Sequence, residues 1–164
     1  MRQISNDEFN KKYYLYKPMI YNISYTYVHN VYDADDIVQD VFIKYLNSNQ
    51  EFPSEENEKY WLIRVTINTC KSFVTNGWKK KVELSNEKID RYQKEDSKEN
   101  NQLLEIVCSL PQKYKEIIIL YYFEELPIND ISKVLKITIS SVKKRLERAR
   151  KIIRERNKQN GWFR

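Results

Sequence analysis

Lys143, Lys144, Arg145, Arg148, Arg150, Lys151, Arg154, Arg156 and Lys158 crowd one stretch of the 164-residue chain, opposed there only by Glu147 and Glu155. Cations at this density neutralise a polyanion. Lys or Arg can also donate to guanine, and Glu can accept from cytosine N4. A second set has the opposite sign: Asp36, Gln39 and Asp40, with Ile43 beside them. Paired carboxylates suit metal binding or acid–base work, but no His, Cys or Lys converges on these. A docking face for a basic partner helix fits better, the carboxylates setting register and Ile43 adding apolar area. A third set mixes aromatics, an amide and cations: Tyr60, Trp61, Arg64, Asn68, Lys71, Trp78 and Lys79 to Lys81. Single-stranded nucleic acid needs that mix, because bases stack and phosphates are neutralised. The competing reading of the same stretch is that Trp61, Leu62, Val65 and Phe73 are core. No residue reads as catalytic. The single histidine, His29, has neither a nucleophile nor a second His with it, and Cys70 and Cys108 form no CxxC pair. Neither zinc nor any other cofactor is expected, and a reduced, cytoplasmic setting is.

The elements that carry these residues follow from spacing. From Leu126 to Arg156 the pattern predicts two helices and a tight turn. Pro127 suits a first helical position, and Ile128, Ile131, Val134 and Leu135 recur at helical spacing. Thr138 can cap a second helix, in which Ile139, Val142, Leu146, Ala149 and Ile153 make one apolar stripe. A short helix, a turn and a longer basic helix form a helix-turn-helix, whose second helix can enter the DNA major groove. The plainer alternative is a solvated helical hairpin with a basic face.

Upstream, residues 5–29 read as a helix capped by Ser5 or Asn6, with Phe9, Tyr13, Tyr16, Ile20, Ile23 and Tyr27 as its buried stripe. Pro18 should kink or split it, and His29 stands at its end. In residues 33–46, Asp33 is the expected cap, with Asp35 and Asp36 favoured by the helix dipole. Ala34, Ile37, Val38, Val41, Phe42 and Tyr45 face inward and Asp36, Gln39, Asp40 and Ile43 outward. Residues 48–57 are loop, with Ser54 or Asn57 able to cap the helix of 58–81. The poor helix formers Ile67 to Thr69 suggest a break near Asn68.

Two glycines and four prolines, with few alternating β-branched runs, point to an all-α protein. Charge divides it. Residues 1–78 hold 8 Lys and Arg against 10 Asp and Glu, whereas residues 103–164 hold 14 against 7, so the net +6 is concentrated at the helix-turn-helix. Residues 82–102 carry mixed charge and few apolar groups, the composition of a flexible linker. Two small helical domains are expected, 1–81 and 103–164. The second begins with a short helix near Leu103, then one started by Pro111 that buries Tyr114, Ile117, Ile118, Leu120, Tyr121 and Phe123. No run of about 18 apolar residues exists to span a membrane, and no apolar signal segment opens the chain.

The order DADDIVQDVFIKYL, YWLIRVTINTCKSF, a charged linker, LPQKYKEIIILYYFEELPINDISKVL and ITISSVKKRLERAR resembles the extracytoplasmic-function (ECF) sigma factors of bacterial RNA polymerase. The resemblance covers nearly the whole chain. It implies sigma domain 2 in 1–81, docking on the β′ clamp helices and opening the minus-ten element. It implies sigma domain 4 in 103–164, docking on the β flap and reading the minus-thirty-five element. By that resemblance Asp36, Gln39, Asp40 and Ile43 bind core polymerase, and Arg64, Asn68 and Lys71 meet the minus-ten element, Asn68 holding a flipped-out base. Ser141, Lys143, Lys144, Arg145, Glu147 and Arg148 meet the minus-thirty-five element, with Arg145, Arg150, Lys151 and Arg154 on phosphates. An anti-sigma factor, in many family members at the membrane, is the further partner implied.

This chain departs from the family pattern at Lys136, where the turn usually has Gly, at Ser132, usually Ala, and at Thr66, Thr69 and Cys70, where Ala is commoner. The tail 161–164, GWFR, has no assignment. Two other classes compete. A stand-alone helix-turn-helix regulator would bind DNA without polymerase, at a palindromic site. A recombinase would need a nucleophilic Ser or Tyr with convergent Arg and His, or an acidic metal triad, and the sequence has neither.

Overall fold

The computed structural model describes residues 3–84 and 105–160, with side chains described as far as Asn76 and Lys158. Trp78, Lys79 to Lys81, most of the expected linker, Leu103 and the tail 161–164 therefore lie outside the described side chains or residues. Every regular element among the described residues is helical. The chain divides into two units, Met1–Tyr92 and Gln93–Arg164.

Three helices build the first unit: α1 (Asn6–Val28), α2 (Val31–Asn47) and α3 (Glu55–Leu84). Ser5 caps α1, its hydroxyl accepting from the Glu8 N–H at 3.2 Å. His29 closes α1 in the left-handed region at φ 52°, its N–H donating to the Tyr25 carbonyl. Pro18 does not split α1, which runs through it unbroken. Pro18 and Tyr14 are both exposed, so water can serve the Tyr14 carbonyl that proline leaves without an N–H.

The cap of α2 is Asn30, not Asp33. The Asn30 side chain accepts from the Tyr32 N–H at 2.8 Å and the Asp33 N–H at 3.0 Å, which puts Asp33 inside the first turn. Ser54 starts α3, its hydroxyl accepting from the Asn57 N–H. The expected break near Asn68 is absent. Leu62, Ile63, Thr66, Ile67 and Cys70 are all buried there. Burying a residue such as Leu or Ile contributes about 1.5–3 kcal/mol, well above propensity differences of roughly 0.5 kcal/mol. The Thr66 and Thr69 hydroxyls donate to the carbonyls of Leu62 and Val65, so neither is buried without a partner.

One acidic group ties the three helices together. Glu58, 6% exposed despite its charge, accepts from the Lys12 ammonium at 2.7 Å. It also accepts from the Tyr16 hydroxyl at 3.2 Å and the Tyr45 hydroxyl at 2.9 Å. A buried carboxylate survives only when paired and hydrogen-bonded. Here α1 supplies Lys12 and Tyr16, and α2 supplies Tyr45. Burial, with the Glu58 charge second, raises the Tyr16 phenol far above its ordinary range.

In the second unit, helix α4 includes residues 105–109. It is followed by α5 (Gln112–Ile118), a π-helical turn (Ile119–Phe123), α6 (Ile128–Leu135) and α7 (Ile139–Asn160). Pro111 and Pro127 stand one place before their helices and act through their carbonyls. Pro111 accepts from Tyr114 and Lys115, and Pro127 from Asp130 and Ile131. The π turn, closed by Glu124 N–H to Ile119 carbonyl at 3.0 Å, shifts the register of the helix it ends. Phe123, expected in the core, is therefore 48% exposed. Ile139 is also outside the core: it opens α7 at the turn, one residue after the cap, and the buried stripe starts at Val142.

Both cysteines are buried thiols outside any disulfide. Burial pushes the Cys108 thiol from an ordinary 9.0 up to about 11, the nearby Lys115 opposing the shift in part. The unfolded chain therefore ionises first, so this thiol should subtract stability as pH rises from 9 towards 11 and contribute nothing below that window. Native protein near pH 8 should resist alkylation at Cys108 and become reactive in denaturant. Rapid native labelling, followed by mass spectrometry, would contradict this burial.

Candidate functional site

The turn between α6 and α7 is held from both sides. Lys136 takes the left-handed conformation at φ 57°, which costs a non-glycine residue about 1–2 kcal/mol. Ser132 offsets that cost. Its hydroxyl donates to the Ile137 carbonyl at 2.5 Å, while the Ile137 N–H donates back to the Ser132 carbonyl at 3.1 Å. Thr138 then caps α7, accepting from the Ser141 N–H at 3.0 Å and donating to the Ser141 hydroxyl at 2.9 Å. Ser141 is half-buried.

Val142, Leu146 and Ala149 anchor α7 in the core. Lys143, Lys144, Glu147, Arg148 and Lys151 are exposed, and Arg145 is half-buried. Lys144, Arg148 and Lys151 lie opposite the buried stripe, since three- and four-residue steps share a helix face. Arg150 is exposed but engaged: its Nε donates to the Tyr122 hydroxyl at 2.5 Å, and its guanidinium lies 5.6 and 5.5 Å from the Tyr121 and Tyr122 ring centres. This cation–π contact sets Arg150 apart from the open cations of α7.

A feature that periodicity does not reveal lies beside it. Val107, Ile118, Tyr122, Phe123 and Ile153 form an apolar cleft of about 570 Å³, edged by Glu147, Arg150 and Arg154. The π turn presents Tyr122 and Phe123 to it. A signal was available, because Ile117 to Phe123, IIILYYF, is apolar on more faces than one helix buries. Arg156 further ties α7 to α4 by donating to the Ser109 hydroxyl.

In the first unit, Asp36, Gln39, Asp40 and Ile43 lie together on the exposed face of α2, with Ile43 54% exposed. The opposite face, Ala34, Ile37, Val38, Val41, Phe42 and Tyr45, is buried. On α3, Arg64 is half-buried, while Asn68 and Lys71 are exposed on the same outward face. Trp61 is half-buried. Its ring packs 5.6 Å from Phe52 and 6.2 Å from Tyr45, centre to centre, so at least one side of it is engaged in packing within the unit. Among the described residues no group of three or more His, Cys, Asp or Glu is placed to hold a metal ion. No helix among them is long and apolar enough to cross a membrane.

One unit is thus a helix-turn-helix with a basic second helix, and the other a three-helix unit with an acidic exposed face on α2. Residues 13–80 match the family model of Sigma-70 region 2, and residues 100–153 match that of Sigma-70, region 4. The chain belongs to the ECF sigma factors of RNA polymerase. It is 34% identical over 141 residues to the RNA polymerase sigma factor SigV of Bacillus subtilis (strain 168), covering 85% of this chain and 84% of that protein. It is 28% identical over 160 residues to the ECF RNA polymerase sigma factor SigW of the same organism, covering 86% and 84%. Two solved structures share the fold. One is the sigma factor RpoE in complex with the anti-sigma factor NepR from Bartonella quintana, with TM-score 0.68, 22% identity and coverage of 90% and 94%. The other is CnrH in complex with the cytosolic domain of CnrY, with TM-score 0.68, 17% identity and coverage of 92% and 88%. The protein is an alternative sigma factor that directs promoter recognition and transcription initiation, and the stand-alone regulator is not favoured, because both sigma regions stand in one chain.

Proposed function

We propose that the separate faces of the two units divide the work of initiation. Asp36, Gln39, Asp40 and Ile43 dock on the β′ clamp helices. Asn68, flanked by Arg64 and Lys71, holds an unstacked base of the minus-ten element. Ser141, Lys143, Lys144, Arg145, Glu147 and Arg148 face the minus-thirty-five element. The cleft edged by Arg150 and Arg154 takes the β flap, its apolar walls suiting a buried helix face. The protein acts in the cytoplasm without catalysing a reaction itself, and an anti-sigma factor covers these surfaces when it is held inactive. The observation that carries this reading is the segregation of charge: an acidic exposed face on α2, and a basic exposed face opposite the core of α7.

The test is assembly with core RNA polymerase and transcription from a linear promoter fragment. Reversing Asp36 and Asp40 to Lys should weaken core binding at least about tenfold, since like charges then face a basic partner. Both positions are exposed, so the variant should still fold. Co-purification with core enzyme at the wild-type level would remove this face from the interface.

A further inference from the structure

We propose that Lys44 is a further nucleic-acid-binding residue, contacting a backbone phosphate of the unstacked strand that Asn68 engages; the inference rests on the reading of Asn68 given above. Cations are scarce in this part of the chain: residues 1–78 hold 8 Lys and Arg against 10 Asp and Glu. Two of them are engaged elsewhere. Lys12 is paired with Glu58, and Lys17 lies 5.3 Å from the Tyr13 ring centre.

Lys44 is placed differently. It is exposed on α2, yet its ammonium is held against α3, donating to the Thr69 hydroxyl at 2.9 Å. Thr69 gives its own proton to the Val65 carbonyl at 2.7 Å, so it meets the ammonium as an acceptor. One of the three ammonium protons is thereby used, and the charge is anchored one residue along α3 from Asn68. Arg64 and Lys71 are four and three residues from Asn68, on its own face of the helix, whereas Thr69 lies about 100° round the helix on the flank towards α2. The Asn68 amide is therefore bracketed by cations from two directions, Arg64 and Lys71 on one and Lys44 on the other. A nucleotide whose base is held at Asn68 carries phosphate on both sides of its sugar, and a bracket of cations matches that chemistry. A lysine that merely pinned α2 to α3 would need its hydrogen bond to Thr69 but not its charge.

That difference sets the experiment. Holoenzyme carrying Lys44→Gln, which removes the charge and keeps a donor for Thr69, is compared with Lys44→Arg and Asn68→Ala. Binding of a single-stranded nontemplate minus-ten oligonucleotide is measured across a salt series, with melting temperatures of the free proteins alongside. Lys44→Gln should bind the oligonucleotide about three- to tenfold more weakly at low salt and lower the slope of log affinity against log salt by about 0.7, the contribution of one single-strand phosphate. Lys44→Arg should restore the slope. A wild-type slope in Lys44→Gln overturns the proposal, whether or not the melting temperature falls. Failure of the underlying reading looks different: Asn68→Ala would leave oligonucleotide affinity unchanged while the Lys44 effect on slope persisted.

Discussion

Replacing Glu58 by alanine is expected to destabilise the first unit by about 2–4 kcal/mol, through two buried phenols that lose their acceptor. Tyr16 and Tyr45 are 6% and 2% exposed, and each donates to a different oxygen of this one carboxylate. Water cannot replace it without opening the helix junction. Lys12 adds less to the loss, because its side chain is 27% exposed and its ammonium can return to solvent. A shift of this size should lower the melting temperature by roughly 10 °C or more. Glu58→Gln should recover part of it, since the one amide oxygen can still accept either from Tyr16 and the ammonium, which share one carboxylate oxygen, or from Tyr45, but not from both sides. Scanning calorimetry of the two variants tests this. A melting temperature within about 2 °C of wild type for Glu58→Ala would mean that the junction is held by apolar packing alone.

The second large effect is expected on promoter opening. Asn68→Ala should leave duplex binding through α7 intact and reduce open-complex formation, by about 1–3 kcal/mol when a base is deprived of its hydrogen-bonding partner. The reason is that an amide bonded to an unstacked base engages it only after the strands part, so it stabilises the open state and not the closed one. A premelted bubble should restore only part of the loss, because the extruded base still lacks its partner. Asn68 is exposed on an unbroken stretch of α3, so the fold should be unaffected; alanine even favours the helix. Melting temperature, closed-complex affinity and permanganate reactivity of promoter thymines are to be measured together. Wild-type permanganate reactivity in a stably folded variant would remove Asn68 from base capture.

Helical faces are legible in the sequence because periodicity is local. Ala34 to Tyr45 repeat at steps that put one stripe inward and leave Asp36, Gln39, Asp40 and Ile43 outward, and both sets lie as that spacing predicts. Thr138 is readable as a cap because its partner, the Ser141 N–H, is three residues away. Where the sequence misleads, the cause is different. Asp33 reads as the cap of α2 because the acidic run begins there, but Asn30 reaches the free N–H groups first. The weak formers around Asn68 suggest a break, but burial of their neighbours against α1 and α2 outweighs propensity.

What the chain determined by itself was therefore its helices, their inward and outward stripes, and the concentration of positive charge on α7, all set by residues within a few positions of one another. The tertiary structure alone decided which of these groups meet. Glu58 stands among Glu55 and Glu56 and reads as a surface acid, yet it is buried because Tyr16, 42 residues earlier, and Tyr45, 13 residues earlier, converge on it. Lys44 reads as an ordinary exposed lysine until Thr69, 25 residues on, holds it beside Asn68. The π turn carries Tyr122 and Phe123 out to a cleft whose other wall comes from α7. Such pairings depend on how apolar stripes pack, and packing joins residues whose distance along the chain no local periodicity encodes.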